Sequence, residues 1–342
     1  AAYRCFCTKE ELEAERERAV AEKLDYHYSG KCRNLSPETV VEYMGEGRPS
    51  TVRFRVEPGE TGFDDLVHGL TVFQNETIGD FIIARADGSP VYLLGVAVDD
   101  ADMGITLVMR GDDHISNTPK QMMLMGALGA AIPRFAHLPQ VLGQDKKKLS
   151  KRHGAASVLE YRNMGVLAPA LVNFLALLGW NPGDDREKMP VDELIEAFSI
   201  ENISKKSGVF DIQKLEWLNG QYISETTDDR ILELVAPLFV ERNYIAEKEV
   251  ADRREFLLLM IRLLKERCRL VPEIAEMGHF FFRDPETYEE KGAAKHFSVV
   301  GAADRLDVIA RRFEELESFS EQAAEDEVRI LAGELGDRKS VV

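Results

Sequence analysis

Apolar and polar positions change rhythm along this chain. Residues 8–24 are polar with helical composition, opened by Thr8-Lys9-Glu10-Glu11: a hydroxyl at the cap and a carboxylate three positions on, a pair that can satisfy two orphan amides reciprocally. Ser36-Pro37 opens a second short helix with proline in its first turn. The opening residues read as an apolar strand or turn. Across 51–56 apolar and basic residues alternate, the period of a half-buried strand. Strand-like runs follow at 70–73, 80–84, 91–98 and 105–109, separated by turns such as Asp87-Gly88-Ser89-Pro90. Asn117-Thr118-Pro119 opens a helix reaching Ala131, and 137–142 is another apolar strand. Strands alternating with helices predict a partly parallel α/β sheet.

After Gly154 the spacing becomes helical: 158–164, 167–178, 191–198, 212–217, then nearly without interruption 231–335. No strand pattern stands beyond residue 223. The chain therefore reads as α/β first and all-α afterwards, with the break near residue 230 and no internal repeat.

Composition adds limits. The 342 residues, 44% apolar and 30% charged, describe a globular chain of two or three domains. No stretch has the ~18–20 continuous apolar residues of a membrane helix. A net charge of −17 argues against holding nucleic acid by bulk positive potential. No secretory pattern precedes the four cysteines, Cys5, Cys7, Cys32 and Cys268, so a reducing compartment is expected; Cys268, in an apolar-periodic helix, reads as a buried hydrophobe. The chain begins without Met or leader and its last stretch runs off a helical pattern, which suggests the interior of a longer protein.

The average charge hides local chemistry. Residues 144–154 hold five cations, Lys146, Lys147, Lys148, Lys151 and Arg152, against Asp145 alone. As a loop after the sheet they suit a polyphosphate; a solvated basic turn is the plainer alternative. Residues 108–119 set Arg110, Asp112, Asp113, His114 and Asn117 between a strand and a helix start, where α/β sheets bind ligands. Arg110 could fork onto a carboxylate and Asp113 accept from ribose hydroxyls or an amine; alternatively, Asp112 and Asn117 only cap the helix. Cys5-x-Cys7 with Cys32 offers three soft ligands to zinc, which takes four. The fourth is open among Tyr28, His27 and a side chain near Asn34. Residues 252–269, read as one helix, carry six cations against three acids; they could face RNA or form a solvated face balanced by neighbouring acids. Phe280-Phe281-Phe282 reads as core.

Lys148-Leu149-Ser150-Lys151-Arg152 resembles the KMSKS-type signature of class I aminoacyl-tRNA synthetases, in the form found in glutamyl-tRNA synthetases. Residues 87–92, 98–100, 103–106, 110–119, 177–180 and 214–223 resemble further blocks of that family in its order. The resemblance covers residues 1–223 specifically and the helical remainder more loosely.

It implies a Rossmann-like catalytic domain, of which this chain holds the second half, with a zinc-type insertion and an all-α anticodon-binding region. The expected divisions are 1–78 (insertion with the cysteines), 79–143 (nucleotide fold), 144–230 (KMSKS loop and stem contact) and 231–342 (anticodon binding, incomplete). It implies activation of L-glutamate with ATP and Mg2+ to glutamyl-adenylate, then transfer to the 3′ end of tRNA(Glu), with charging of tRNA(Gln) left open. By similarity, Lys151 binds ATP phosphates and stabilises the transition state, supported by Lys148 and Ser150. Asp113 contacts ATP, Val141 lies where backbone groups meet the adenine, and Tyr92 and Arg110 bind glutamate. A related tRNA-modifying synthetase uses a tyrosine four residues before its last zinc cysteine, the spacing of Tyr28 and Cys32; Asn34 stands where other members place a histidine. Leu93 and Leu107 depart from the family's polar residue and His.

The family's HIGH signature lies ahead of the stretch matching Ala1, so the chain by itself is expected to hold half an active site and to be inactive alone. A cytoplasmic monomer is expected. The alternatives weighed are a glutamyl-Q-tRNA(Asp) synthetase, which stops after the catalytic domain, a glutaminyl enzyme, whose C-terminal region is β-rich, and a non-catalytic tRNA- or zinc-binding module.

Overall fold

Thr8 and Glu11 close the first helix as their types dictate. The Glu11 amide donates to Thr8 Oγ1 (3.2 Å) and the Thr8 amide to Glu11 Oε2 (3.0 Å). The computed structural model describes residues 1–24, 26–149, 157–285 and 287–335. In chain order it begins β1 (Ala2–Cys5), α1 (Lys9–Ala21), α2 (Pro37–Gly45), β2 (Thr51–Phe54), β3 (Glu60–Asp65), β4 (Gly69–Gln74), α3 (Asn75–Ile78) and β5 (Phe81–Ala84). Then come α4 (Tyr92–Asp102), β6 (Leu107–Gly111), a 3-10 turn (Asp112–Asn117), α5 (Thr118–Leu128), β7 (Arg134–Leu138) and β8 (Val141–Leu142). Beyond them lie α6 (Val158–Met164), α7 (Ala168–Leu177), α8 (Val191–Ala197), β9 (Gly208–Val209) and α9 (Ile212–Glu225). The chain ends in helices α10 (Asp228–Glu241), α11 (Glu249–Asp252), α12 (Arg254–Leu264), α13 (Val271–Met277), α14 (Glu290–His296), α15 (Ala302–Glu314) and α16 (Glu321–Glu334).

The strands form a three-stranded antiparallel sheet, β1-β2-β5, and a four-stranded mixed sheet, β4-β3-β7-β6, in which β3, β7 and β6 run parallel. The expectation of a partly parallel sheet holds. Both sheets draw strands from either side of residue 79. Two short strands, β8 and β9, pair separately in parallel.

One expected strand is a helix. Residues 92–98 belong to α4, with Val91 as its extended cap: Leu93, Leu94 and Ala97 face the core of Phe54, Val56, Ile83 and Leu124, while Tyr92 and Val98 stay exposed. Length decides, because the run continues through Asp99-Asp100-Ala101-Asp102 and buries one side at helical period. The strand expected over 137–142 is two, with Pro139 between β7 and β8. Leu93 and Leu107, the departures from the family pattern, are partly buried packing residues.

The helical region has its own core, with Ile231, Val235, Phe239, Leu257, Ile261 and Ile274 wholly buried. Cys268 is buried in it, its thiol pushed up to about 11 by burial. Phe281 and Phe282 pack on this core, and Phe280 is half exposed. The helix expected over 252–269 is broken at Arg253, and four of its six cations are paired with acids. Arg254 pairs with Asp229, Arg262 and Lys265 with Asp228 (3.1 and 2.8 Å), and Arg253 with Glu249 (4.0 Å).

Two features join the halves. Asn219, wholly buried, accepts from the Leu167 amide (2.8 Å) and donates to the carbonyls of Gly165 (3.2 Å) and Arg269 (2.6 Å). Gly165 has φ +89°, and a Cβ there would lie 2.2 Å from Pro272 Cδ. Only glycine meets both conditions.

Candidate active site and cysteine cluster

The parallel strands β3, β6 and β7 end at the same edge of the sheet, and three side chains from those ends form a column, buried at Asp65 and His137 and partly exposed at Arg110. Asp65, the last residue of β3, cannot face solvent from there and must find donors. Its Oδ1 accepts from the amides of Val67 (3.0 Å), His68 (3.0 Å) and His137 (3.3 Å), and its Oδ2 meets His137 Nδ1 at 2.5 Å. Burial works against the carboxylate, but these bonds, led by the His68 amide, hold it below the usual range.

His137 lies opposite Arg110 in the β6–β7 register and is wholly buried. Arg110 Nε donates to His137 Nε2 (3.2 Å), so that nitrogen is the acceptor and the proton sits on Nδ1, toward Asp65. Burial lowers the affinity of the ring for a second proton, outweighing Asp65, and nearby Arg110 adds to the effect.

The guanidinium of Arg110 is fixed from the other side by α5, whose first turn is set by Pro119. Its Nη2 donates to Thr118 Oγ1 (2.8 Å) and Gln121 Oε1 (2.7 Å). Every one of these acceptors is neutral. Among the described residues no carboxylate pairs with Arg110, and its Nη1 has no hydrogen-bond partner. Burial depresses its pKa, while Tyr92 and Asp100 favour its charged form. A partly buried cation whose hydrogen-bond acceptors are all neutral is arranged to receive an anion.

Tyr92 opens α4, exposed, its ring centroid 6.2 Å from that of His114. Asp113, in the turn after β6, receives Lys148 Nζ at 2.7 Å, which holds its carboxyl below the usual range. The basic loop and the acidic turn therefore meet. Val141 lies in β8, where its carbonyl accepts from the Leu149 amide (2.9 Å). Ser150 and Lys151 lie outside the described residues. Asn117 makes no capping bond; its side chain meets His114 Nδ1 (3.1 Å). Asp65, His137 and Gln121 are site residues that sequence reasoning missed. A lone histidine inside Phe135-Ala136-His137-Leu138 was the one available signal.

The second cluster lies at the end of β1. The thiols of Cys5, Cys7 and Cys32 lie within 4.8 Å of one another. Tyr28 Oη is 3.4 Å from Cys5 Sγ and 3.6 Å from Cys7 Sγ. Burial pushes the Cys7 thiol up to about 12 and raises the Tyr28 phenol; on Cys5, bonds from Tyr28 and Arg53 outweigh burial and lower it. Three converging thiols and a phenol are a donor set that fits a tetrahedral zinc ion. His27 lies against Gly79, with Nδ1 3.9 Å from where a Cβ there would stand.

The model of the tRNA synthetases class I (E and Q) catalytic domain matches residues 1–217, and that of an anticodon binding domain matches residues 230–339. The chain is 41% identical over 342 residues to glutamate–tRNA ligase 1 of Caldanaerobacter subterraneus subsp. tengcongensis, covering 100% of this chain and 70% of that protein. It is 44% identical over 336 residues to glutamate–tRNA ligase of Geobacter sulfurreducens, covering 98% and 69%. Among solved structures, a glutamate tRNA ligase from Elizabethkingia meningosepticum, in complex with its amino acid, superposes with a TM-score of 0.86 at 28% identity, covering 98% of this chain and 70% of that one.

The His137–Asp65 pair has a pH signature. His137 titrates below its ordinary 6.5 when folded, so the unfolded chain takes up the proton first and stability falls as pH drops below 6.5. Asp65, held below 3.8, contributes stability that persists above 3.8 and is lost only at lower pH. Of this pair, His137 alone loses stability between those values. In urea unfolding from pH 7 to 5, the wild-type chain should lose on the order of 1 kcal/mol more than His137→Gln. Equal losses would contradict the neutral buried imidazole.

Proposed function

The chain belongs to the class I tRNA synthetases of the E and Q type, and on that premise we propose that it carries part of the active site of a glutamate–tRNA ligase. Such an enzyme joins the glutamate α-carboxylate to the α-phosphate of ATP, supplied with Mg2+, and releases pyrophosphate. The terminal ribose hydroxyl of tRNA(Glu) then takes the glutamyl group and AMP leaves. Neither step needs a protein nucleophile, so catalysis rests on placement and charge.

One observation carries the amino-acid specificity: the Arg110 guanidinium is held by neutral acceptors alone, with its Nη1 edge free among the described residues. A γ-carboxylate supplies the missing anion, and the neutral amide of glutamine does not. Tyr92, whose ring lies near His114 and acts on Arg110, would line the amino-acid side of the same site. Lys148 and Asp113 tie the basic loop to the turn after β6, where ATP is expected beside Val141. Lys151 would neutralise phosphate charge, with Ser150 supporting the loop. The helices that follow α9 take the anticodon side of the tRNA.

Cys5, Cys7, Cys32 and Tyr28 would hold a structural zinc ion, which supplies a cross-link between β1 and the segment around Cys32. The protons on Cys7 and Tyr28 leave when a metal binds, so loading strengthens with rising pH.

The full-length protein, given ATP, tRNA and labelled amino acids, should charge tRNA(Glu) with glutamate and leave glutamine uncharged; the same assay with tRNA(Gln) reads its tRNA range. Equal charging with glutamine would contradict the reading. Equilibrium dialysis of the chain should find one zinc ion, with affinity reduced at least about 10-fold in Tyr28→Phe. Binding unchanged in Tyr28→Phe would remove Tyr28 from the ligand set, and failure of the wild-type chain to bind zinc would remove the site.

A further inference from the structure

We infer that Asp65 and His137 are positioning residues that aim Arg110 at the substrate side chain while leaving its charge uncancelled, and so set the affinity for glutamate. The inference rests on the reading of Arg110 as the glutamate-binding residue.

Arginine carries five N–H donors in a rigid fork and no acceptor. Here Nε is committed to His137 Nε2, and Nη2 to Thr118 Oγ1 and Gln121 Oε1, which leaves Nη1 for a ligand. The bond from Nε exists only if His137 Nε2 is unprotonated. A neutral imidazole can present either nitrogen, so something must select the tautomer. Asp65 selects it by accepting from Nδ1 at 2.5 Å. Asp65 cannot turn away, because three amides hold its other oxygen. The rings of Phe63 and Phe135 pack beside the imidazole, with centroids 6.1 and 6.3 Å away, and keep it in the column.

The arrangement also gives a reason for a histidine between Asp65 and Arg110. A carboxylate placed directly on the guanidinium would fix it equally well, but would satisfy its charge and compete with the substrate. An imidazole passes on the orientation without the charge. The charged and titratable groups facing this column are Asp65 from β3, His68 from the turn after it, Arg110 from β6, and Tyr92 and Asp100 from α4, which act on Arg110. The neighbours from α5, Thr118 and Gln121, are uncharged.

Substitutions at His137 separate its bond to Asp65 from its contacts at Nε2, where Arg110 Nε donates and Thr118 Oγ1 also lies, at 3.1 Å. Asn keeps a donor near the Nδ1 position for Asp65 and loses the acceptor for Arg110; Gln restores an acceptor near the Nε2 position. In ATP–pyrophosphate exchange by the full-length protein with tRNA present, His137→Asn should raise the KM for glutamate about 10-fold or more. Its kcat should stay within about threefold and its KM for ATP should not move, and His137→Gln should recover most of the loss. Unchanged glutamate KM in His137→Asn, or an equal rise in the KM for ATP, overturns the inference.

Arg110→Ala, run alongside, separates the two claims. If it leaves the glutamate KM at the wild-type value, the assignment of Arg110 itself fails. If it raises the KM while His137→Asn does not, only the positioning role fails. Should the variants not fold, 15N-histidine NMR of the wild-type protein still decides: a protonated Nδ1 with unprotonated Nε2 on His137 at pH 7 is expected, and the opposite tautomer or an imidazolium overturns the inference.

Discussion

A guanidinium held in place without being neutralised is the constraint on which the catalytic half of this molecule depends. Removing a cation from water is costly unless a counter-charge or a full set of acceptors replaces the lost solvation. Arg110 has acceptors for Nε and Nη2, all of them neutral. An arrangement of this kind favours an anion through the fold alone. It also accounts for the parallel arrangement of β3, β7 and β6. Only strands ending at one edge bring Asp65, His137 and Arg110 into a line, and only a helix starting at the same edge brings Thr118 and Gln121 to the guanidinium.

The remaining chemistry is arranged around that edge. The turn following β6 carries Asp113, and β8 leads into the basic loop whose Lys148 reaches it. Binding of a polyphosphate there would compete with the Asp113–Lys148 pair, which is exposed and cheap to break. The cysteine cluster lies apart, at the end of β1. The helical region is joined through Asn219 and the close approach of Gly165 to Pro272, contacts that fix its placement against the catalytic part.

Much of this was legible in the residues. The capping box at Thr8, the proline-led helix at Ser36, the partly parallel sheet and the change to helices all follow from local pattern. The motifs around Arg110, Asp113 and Lys148 stand out because charges gathered in turns that follow strands lie at the sheet edge where ligands bind. What escaped was set by tertiary contacts. Residues 91–98 look like a strand because valines are frequent there, and only the packing of Leu93, Leu94 and Ala97 against the core makes them a helix. Four of the six cations over 252–269 pair with Asp228, Asp229 and Glu249, acids that lie outside that stretch and that its local charge could not announce. Asp65 and His137 are 72 positions apart and carry no shared motif, so no local reading could have paired them.

The amino-acid preference of the full-length protein tests the uncompensated charge most directly. The quantity is the ratio of kcat/KM for glutamate to that for glutamine, measured in tRNA-dependent ATP–pyrophosphate exchange for wild type and Arg110→Gln. Loss of a charge-assisted carboxylate contact should lower the ratio by about 100-fold or more, toward unity. A ratio unchanged by Arg110→Gln would contradict the role of the uncompensated guanidinium, because the acidic side chain would then be recognised elsewhere.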